Sequence, residues 1–289
     1  MVERHARRGH LPRTARRAAL LGHLFLCAVL WAAPARAQGD WPRVELSGGG
    51  LVAAFDTSVR LDDVRGIEGT TVDFEDDLGL DTRSGTWFVQ GLWRISRRNQ
   101  LSASYQGFSR ELSRTILDRE IRFGDRTFGV GAEVGAIVEA QYVSIDYGFA
   151  FVATPRVEFG ASIGVTAVRL QSGIEATAGV SGSSSSGRTV SSQLDYDLPI
   201  PLPGLFVNAR VHPRVTVRAS TRGLKGAIDE YSAALAEARA GLDVRLAGPL
   251  SVGGAYYFNR ARVTRRETRT DGQIVYRFQG PIVYGNLAW

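Results

Sequence analysis

Apolar and polar residues alternate with a period of two over much of the chain. Trp87, Val89, Gly91, Trp93 and Ile95 oppose Thr86, Gln90 and Arg94, and Val157, Phe159, Ala161, Ile163, Val165 and Ala167 oppose Glu158, Ser162 and Thr166. Leu205, Val207, Ala209 and Val211 alternate with Asn208, Arg210 and His212 in the same way. Ala236, Ala238, Ala240, Leu242, Val244 and Leu246 alternate with Glu237, Arg239, Asp243 and Arg245. Successive side chains of a strand point to opposite faces, so each span reads as a strand with one greasy face. The spans approach the ~10 residues of a membrane strand. The alanine-rich span Ser232 to Arg245 has the composition of a helix, yet its period is two and it too reads as a strand.

The connections alternate as well. Ser96 to Asn99, Thr154-Pro155-Arg156, His212-Pro213-Arg214 and Gly248-Pro249 are short. Asp56 to Ser84 and Ala178 to Ser192 are long, and further outer loops fall near Gly124-Asp125, near Ala227 to Tyr231 and at Thr270 to Gln273. Short periplasmic turns and longer outer loops characterise outer-membrane barrels. Four short turns predict ten strands, with eight or twelve as alternatives, in an all-β antiparallel up-and-down transmembrane β-barrel whose termini face the periplasm. Val283, Gly285, Leu287 and Trp289 end the chain with small or apolar residues on one face. This resembles the carboxy-terminal assembly signal of outer-membrane barrels, carried by Leu287 and by Trp289 in place of the usual Phe, and it implies recognition by the barrel assembly machinery.

Charge and cysteine usage place the chain. Arg4, Arg7, Arg8, Arg13, Arg16 and Arg17 precede an apolar run from Ala18 to Ala33 that ends in Ala35-Arg36-Ala37, the pattern of a secretory signal peptide cleaved after Ala37. The run is shorter than the roughly 20 apolar residues of a spanning helix. Residues 1–37 hold seven arginines and one acid, so Lys+Arg falls from 35 to 28 and Asp+Glu from 29 to 28. The expected mature barrel, 38–289, is neutral, and the net charge of +6 that could suggest nucleic acid belongs to the export signal. Cys27, the single cysteine, lies inside that signal behind Leu26, so the mature chain has neither thiol nor lipid anchor.

Four segments carry a family resemblance: Asp73-Phe74-Glu75-Asp76-Asp77-Leu78-Gly79-Leu80, Trp93-Arg94-Ile95-Ser96-Arg97-Arg98, Phe108-Ser109-Arg110, and Arg119-Glu120-Ile121-Arg122-Phe123-Gly124-Asp125. Together they resemble a functionally unassigned family of proteobacterial outer-membrane β-barrels, more distantly like the small OmpA-type and OmpW-type barrels. The resemblance implies a fold and a Gram-negative outer-membrane location, with outer-membrane lipid and lipopolysaccharide as surroundings, and no activity.

Candidate chemistry is sparse. After residue 37 the only histidine is His212, in an expected periplasmic turn, away from the outer rim where a histidine base would serve a barrel enzyme. Ser183 to Ser186 lie in a glycine-serine tract with no base nearby. Asp62, Asp63, Glu68, Asp73, Glu75, Asp76, Asp77 and Asp81 concentrate hard oxygens in the first outer loop; Asp73, Glu75, Asp76 and Asp77 are the candidates for a calcium or magnesium site, against a solvated acidic face. Trp87, Trp93, Tyr147, Phe149, Phe151, Tyr256 and Phe258 read as a lipid-facing girdle, and Gly48-Gly49-Gly50 as a bend or closure in the first strand. The residues turned inward are Arg94, Asp146, Glu158, Arg210, Arg218, Arg222, Glu237, Arg239, Asp243 and Arg245, both signs together, and a ten-strand barrel leaves little room around them. They predict a lumen plugged by ion pairs that Glu237→Ala or Asp243→Ala would loosen into a leak. The expected function is a non-enzymatic barrel without cofactor, structural or binding through its loops, with no nucleic-acid partner and its ligand open. The alternatives are a narrow channel for small solutes and an enzyme using carboxylates alone.

Overall fold

The computed structural model describes residues 41–63, 67–123, 126–176, 180–181, 190–228, 231–266 and 271–289. Residues 1–37, and with them the expected signal peptide, lie outside the described residues, as do Ser183 to Ser186. Ten long strands carry the fold: β1 Val44–Leu61, β2 Arg83–Arg94, β3 Asn99–Ile116, β4 Glu133–Ala153, β5 Val157–Ala176, β6 Val190–His212, β7 Val215–Ile228, β8 Tyr231–Ala247, β9 Leu250–Arg266 and β10 Asp271–Ala288. Each pairs antiparallel with the next, and β10 closes onto β1 through a register running from Glu45↔Ala288 to Leu61↔Gly272. The expected ten-strand up-and-down barrel is therefore the fold, with no helix among the described residues. The alanine-rich span is β8, held between β7 and β9 along its length.

The short turns are where the alternation places them: Ser96 N–H donates to Asn99 O at 3.2 Å and Thr154 N–H to Val157 O at 2.9 Å. We refer to this end as the turn end and to the other as the loop end. The strands run from 12 residues in β2 to 23 in β6, so most exceed the ~10 needed to cross a bilayer and continue toward the loop end. The first long loop consequently starts after Leu61, not at Asp56, because β1 stays paired with β10 that far. Closure depends on Gly49, where a Cβ would come within 2.6 Å of the Tyr284 Cβ on β10.

The outward face changes character along the barrel. On β4, Val143, Ile145, Tyr147, Phe149 and Phe151 are exposed near the turn end, and the same face continues as Gln141, Glu139 and Glu133. On β5 the apolar series from Phe159 to Val165 gives way to Arg169 and Gln171. Trp87, Trp93 and Tyr256 are also exposed, at 58%, 47% and 53%, and Phe258 shares their face, so the expected aromatic girdle lies on the outside.

Candidate functional site

The lumen has two storeys of opposite chemistry. At the turn end, alternation aims one inward side chain from each of several strands at the axis. Arg94, the last residue of β2, donates Nη1 to Glu45 Oε1 on β1 at 2.5 Å and Nε and Nη2 to the two Glu158 oxygens on β5 at 2.9 Å each. Glu45 Oε2 accepts from Arg218 Nη2 on β7 at 2.8 Å, and Arg218 Nε reaches Asp243 Oδ2 on β8 at 2.5 Å. Asn208 donates to Glu158 at 3.1 Å, and Tyr284 OH donates to Asp243 Oδ1 at 2.5 Å. Glu158–Arg94–Glu45–Arg218–Asp243 is thus one continuous ion-pair chain crossing the lumen. A second cluster lies a step toward the loop end, where Arg222 donates to Asp146 and to Glu237, each at 2.5 Å. Gly164 makes room for it, since a Cβ there would stand 2.2 Å from Asp146 Oδ1. Alternating signs at these distances offset the desolvation of each ion, which unpaired in a narrow lumen would be strongly unfavourable.

Seven of the ten expected lumen charges enter these two clusters: Arg94, Asp146, Glu158, Arg218, Arg222, Glu237 and Asp243. Arg239 points inward but lies over the Tyr284 and Phe88 rings, 4.6 and 5.3 Å from their centroids, and donates to Gln90 at 3.3 Å. Arg210 lies over Trp41 at 4.3 Å and donates to Pro155 O at 3.0 Å. Arg245 shares the parity of Asp243 on β8 and is exposed at the turn-end mouth, outside the two clusters. Glu45, the hub of the network, is absent from the expected set although its parity, between Val44 and Leu46, places it inward. Beside the clusters lies a cavity of about 210 Å³, lined among others by Ser102, Ser104, Gln106 and Gln90.

The loop-end storey is apolar. Phe55, Phe108, Tyr142, Tyr276 and Phe278 form one aromatic cluster with centroid distances from 5.1 to 6.1 Å, and Tyr257 joins it against Phe278 at 5.5 Å. Rings packed edge-to-face or offset at such distances add specific attraction to the burial of their area. Above them the first two long loops of the loop end fold into a cap. Val72 and Asp73 pair with Val59 and Ser58 of β1, and Ile121–Phe123 pairs with Arg126–Phe128. Thr70 N–H donates to Arg122 O at 2.8 Å, joining the two loops. Phe74, Leu78, Ile121, Phe123 and Phe128 are each at most 1% exposed.

The acidic loop residues are engaged within this cap. Glu75 Oε1 accepts from Arg110 Nη1 at 2.6 Å, and its Oε2 accepts from Thr57 N–H at 2.7 Å. Arg110 also donates to the Asp81 carbonyl and stands 4.5 Å from the centroid of Phe55, so it bolts the cap to the aromatic plug. Asp73 Oδ1 accepts from the N–H groups of Glu75 and Asp76 at 3.1 and 2.9 Å, and Asp77 Oδ2 accepts from Asp73 N–H and from Arg119. These carboxylates fix a turn and receive arginines, and among the described residues no group of three or more His, Cys, Asp or Glu converges on a point that could hold a metal ion. Three of the segments behind the family resemblance meet here, through Glu75, Arg110 and Arg119. Arg110 and the aromatic plug were missed from the sequence; the Phe108-Ser109-Arg110 motif was the available signal. His212 ends β6 at the turn end and is exposed, its Nδ1 accepting from Arg214 N–H at 3.2 Å.

No protein-family model matches the chain, and no curated protein sequence is significantly similar to it. Among solved structures it is similar to the outer membrane protease OmpT from Escherichia coli, with a TM-score of 0.55 at 9% identity over 85% of this chain and 96% of that one. The translocator domain of the autotransporter NalP from Neisseria meningitidis aligns with a TM-score of 0.41 at 11% identity, over 94% of this chain and 96% of that one. The Ail protein of Yersinia pestis aligns with a TM-score of 0.31 at 9% identity, over 84% of this chain and 99% of its own. The closed ten-strand barrel and its likeness to the OmpT structure give this chain the architecture of an outer-membrane β-barrel.

Proposed function

We propose that this chain is a non-enzymatic outer-membrane barrel, closed at rest, whose task is structural or is carried by its loop cap. The observation behind this reading is the double closure of the lumen, by the Glu158–Arg94–Glu45–Arg218–Asp243 chain and by the aromatic plug beneath the cap. Under this reading the turn end with both termini faces the periplasm and the loop end faces outward among lipopolysaccharide. Leu287 and Trp289 serve recognition by the assembly machinery. The fold shared with a protease transfers no activity at 9% identity, and His212 stands at the opposite end from the cap. Purified full-length protein in a planar bilayer should show little steady conductance. Large stable openings would refute closure and favour the second reading, a narrow channel, for which the cavity of about 210 Å³ beside the charge clusters is the supporting observation. Lipid A mass spectra and peptide-cleavage assays test the absence of enzymatic activity.

A further inference from the structure

The charges of the turn end do not balance. Residues 38–289 carry 28 basic and 28 acidic residues, so an excess at one end is a deficit elsewhere. The acids of this end among the described residues are Glu45, Glu158 and Asp243, 4%, 2% and 5% exposed, and Arg94 and Arg218 take up all three in the lumen floor. Around that floor Arg43, Arg97, Arg98, Arg156, Arg214 and Arg245 are exposed. Arg43 stands just before β1, Arg97 and Arg98 in the β2–β3 turn, Arg156 in the β4–β5 turn, Arg214 in the β6–β7 turn and Arg245 near the end of β8. The rim is therefore set with arginine at each of its connections.

The backbone holds these positions apart. Arg94 N–H donates to Arg43 O at 2.7 Å, Ala150 N–H to Arg98 O at 2.8 Å and Arg245 N–H to Arg214 O at 2.8 Å. The side chains are left to the surroundings: none of the six forms an ion pair with a described residue, and Arg97 alone bonds, through Nη2 to Ala153 O at 3.5 Å. At the loop end, by contrast, acids stand among the arginines, with Arg60 on Asp62 and Glu68 and Arg119 on Asp77.

Depth decides what the ring meets. Each arginine lies within three residues of an exposed apolar side chain: Arg43 of Leu46, Arg97 and Arg98 of Ile95, Arg156 of Phe159, Arg214 of Val211, and Arg245 of Val244 and Leu246. Three residues of strand span about 10 Å, and a tilt of about 40° shortens that to about 8 Å along the membrane normal. The headgroup layer beside the hydrocarbon is about 5 to 7 Å thick, and an arginine stem can lie along apolar surface while its head stays in the polar layer. The guanidiniums thus reach headgroup depth, where their planar fork matches a phosphate. A water-borne partner would have to meet them through the lipid.

We propose that the arginine ring of the turn end is a docking surface for the anionic phospholipids of the leaflet it faces. The guanidiniums hold the phosphates, and the exposed apolar side chains next to them pack on the acyl chains. This rests on the membrane reading proposed above and adds a lipid class to it.

The test places the folded full-length chain in phosphatidylcholine vesicles, titrates in brominated phosphatidylglycerol or brominated phosphatidylcholine, and reads the quenching of tryptophan fluorescence. Trp41, whose Nε1 donates to Thr154 O at 2.8 Å, and Trp93 report from this rim. Wild type should favour phosphatidylglycerol about fivefold, the worth of one arginine near an anionic lipid surface, and lose the preference at high sodium chloride. The combined variant Arg97→Gln, Arg98→Gln, Arg156→Gln, Arg214→Gln should bring the two lipids level while keeping heat-modifiable mobility, because all four side chains are exposed. Arg→Lys at the same four positions should restore the preference. Arg97→Gln with Arg98→Gln serves if the fourfold variant does not fold, and should lower the preference about twofold or more, since each cation contributes separately. Equal quenching by the two lipids in wild type overturns the proposal in favour of a water-borne acidic partner, and a preference that the glutamine variants keep overturns it as well. A chain that never gains the heat-modifiable form in vesicles refutes the membrane reading instead.

Discussion

The two storeys of the lumen are mirror images in polarity. Near the turn end the outer face is apolar, as with Ile145 and Tyr147, and the inner face is charged, as with Asp146. Toward the loop end the outer face carries Gln141 and Glu139 while the inner face carries Tyr142, Ala140 and Val138. The first is built inside out, for lipid; the second is built like a soluble protein, with water outside and a hydrophobic core within. The closure of each storey follows. At membrane depth the wall already spends its apolar residues on lipid, so the interior is filled by paired charges that fix geometry but add little net stability. Above it the hydrophobic effect operates as in water, and rings together with the folded cap fill the space.

The strongest disruption is expected where a buried charge loses its partner. Arg94→Ala leaves Glu158, 2% exposed, with no arginine and Glu45, 4% exposed, with Arg218 alone, and should destabilise the folded barrel by about 4 kcal/mol, within the range for breaking a buried pair. Urea unfolding in detergent, followed by tryptophan fluorescence, measures it; a change below about 1 kcal/mol would mean that water solvates the floor, since only exposed pairs are worth so little. Phe108→Ala in the plug stands beside it, at about 4 kcal/mol from lost burial and a cavity. The two should differ in conductance. Glu237→Ala or Asp243→Ala was expected from the sequence to raise a leak, but the plug and cap lie in series with those residues. Either variant alone should stay closed, and only its combination with Phe108→Ala should conduct. Single-charge variants that open the barrel would show that the plug does not seal.

The same inversion explains what the sequence made legible. Alternation is unambiguous in β2, β5 and β8 near the turn end, so strand count, turns, girdle and seven lumen charges could all be read with one phase. On β4, however, the apolar residues stand at odd positions from Val143 to Phe151 and at even positions from Val134 to Tyr142. A single-phase reading follows the first set and loses the second, which is why the charges were found and the aromatic plug was not. Arg110 was lost for a related reason, because its partner Glu75 belongs to a loop, and no periodicity carries a loop residue into the lumen.

The smallest effects sharpen the boundary between the storeys, in the loop that caps the upper one. Glu75 and Asp77 both receive an arginine, two residues apart in one acidic run. The Arg110–Glu75 side chains are 2% and 5% exposed, whereas those of Arg119 and Asp77 are 46% and 21% exposed. Glu75→Gln removes the charge that answers Arg110 above the Phe55 ring, and a buried charged hydrogen bond of this kind is worth about 2 kcal/mol. Asp77→Asn keeps an acceptor for Asp73 N–H and removes only the ion pair, which near water should change stability by less than about 1 kcal/mol. Salt separates them further, since screening acts on exposed pairs and spares buried ones. Unfolding midpoints at low and high sodium chloride should therefore shift for Asp77→Asn relative to wild type and hold their offset for Glu75→Gln. A salt-sensitive Glu75 offset would place that carboxylate in water, and the cap would then rest on its apolar residues alone.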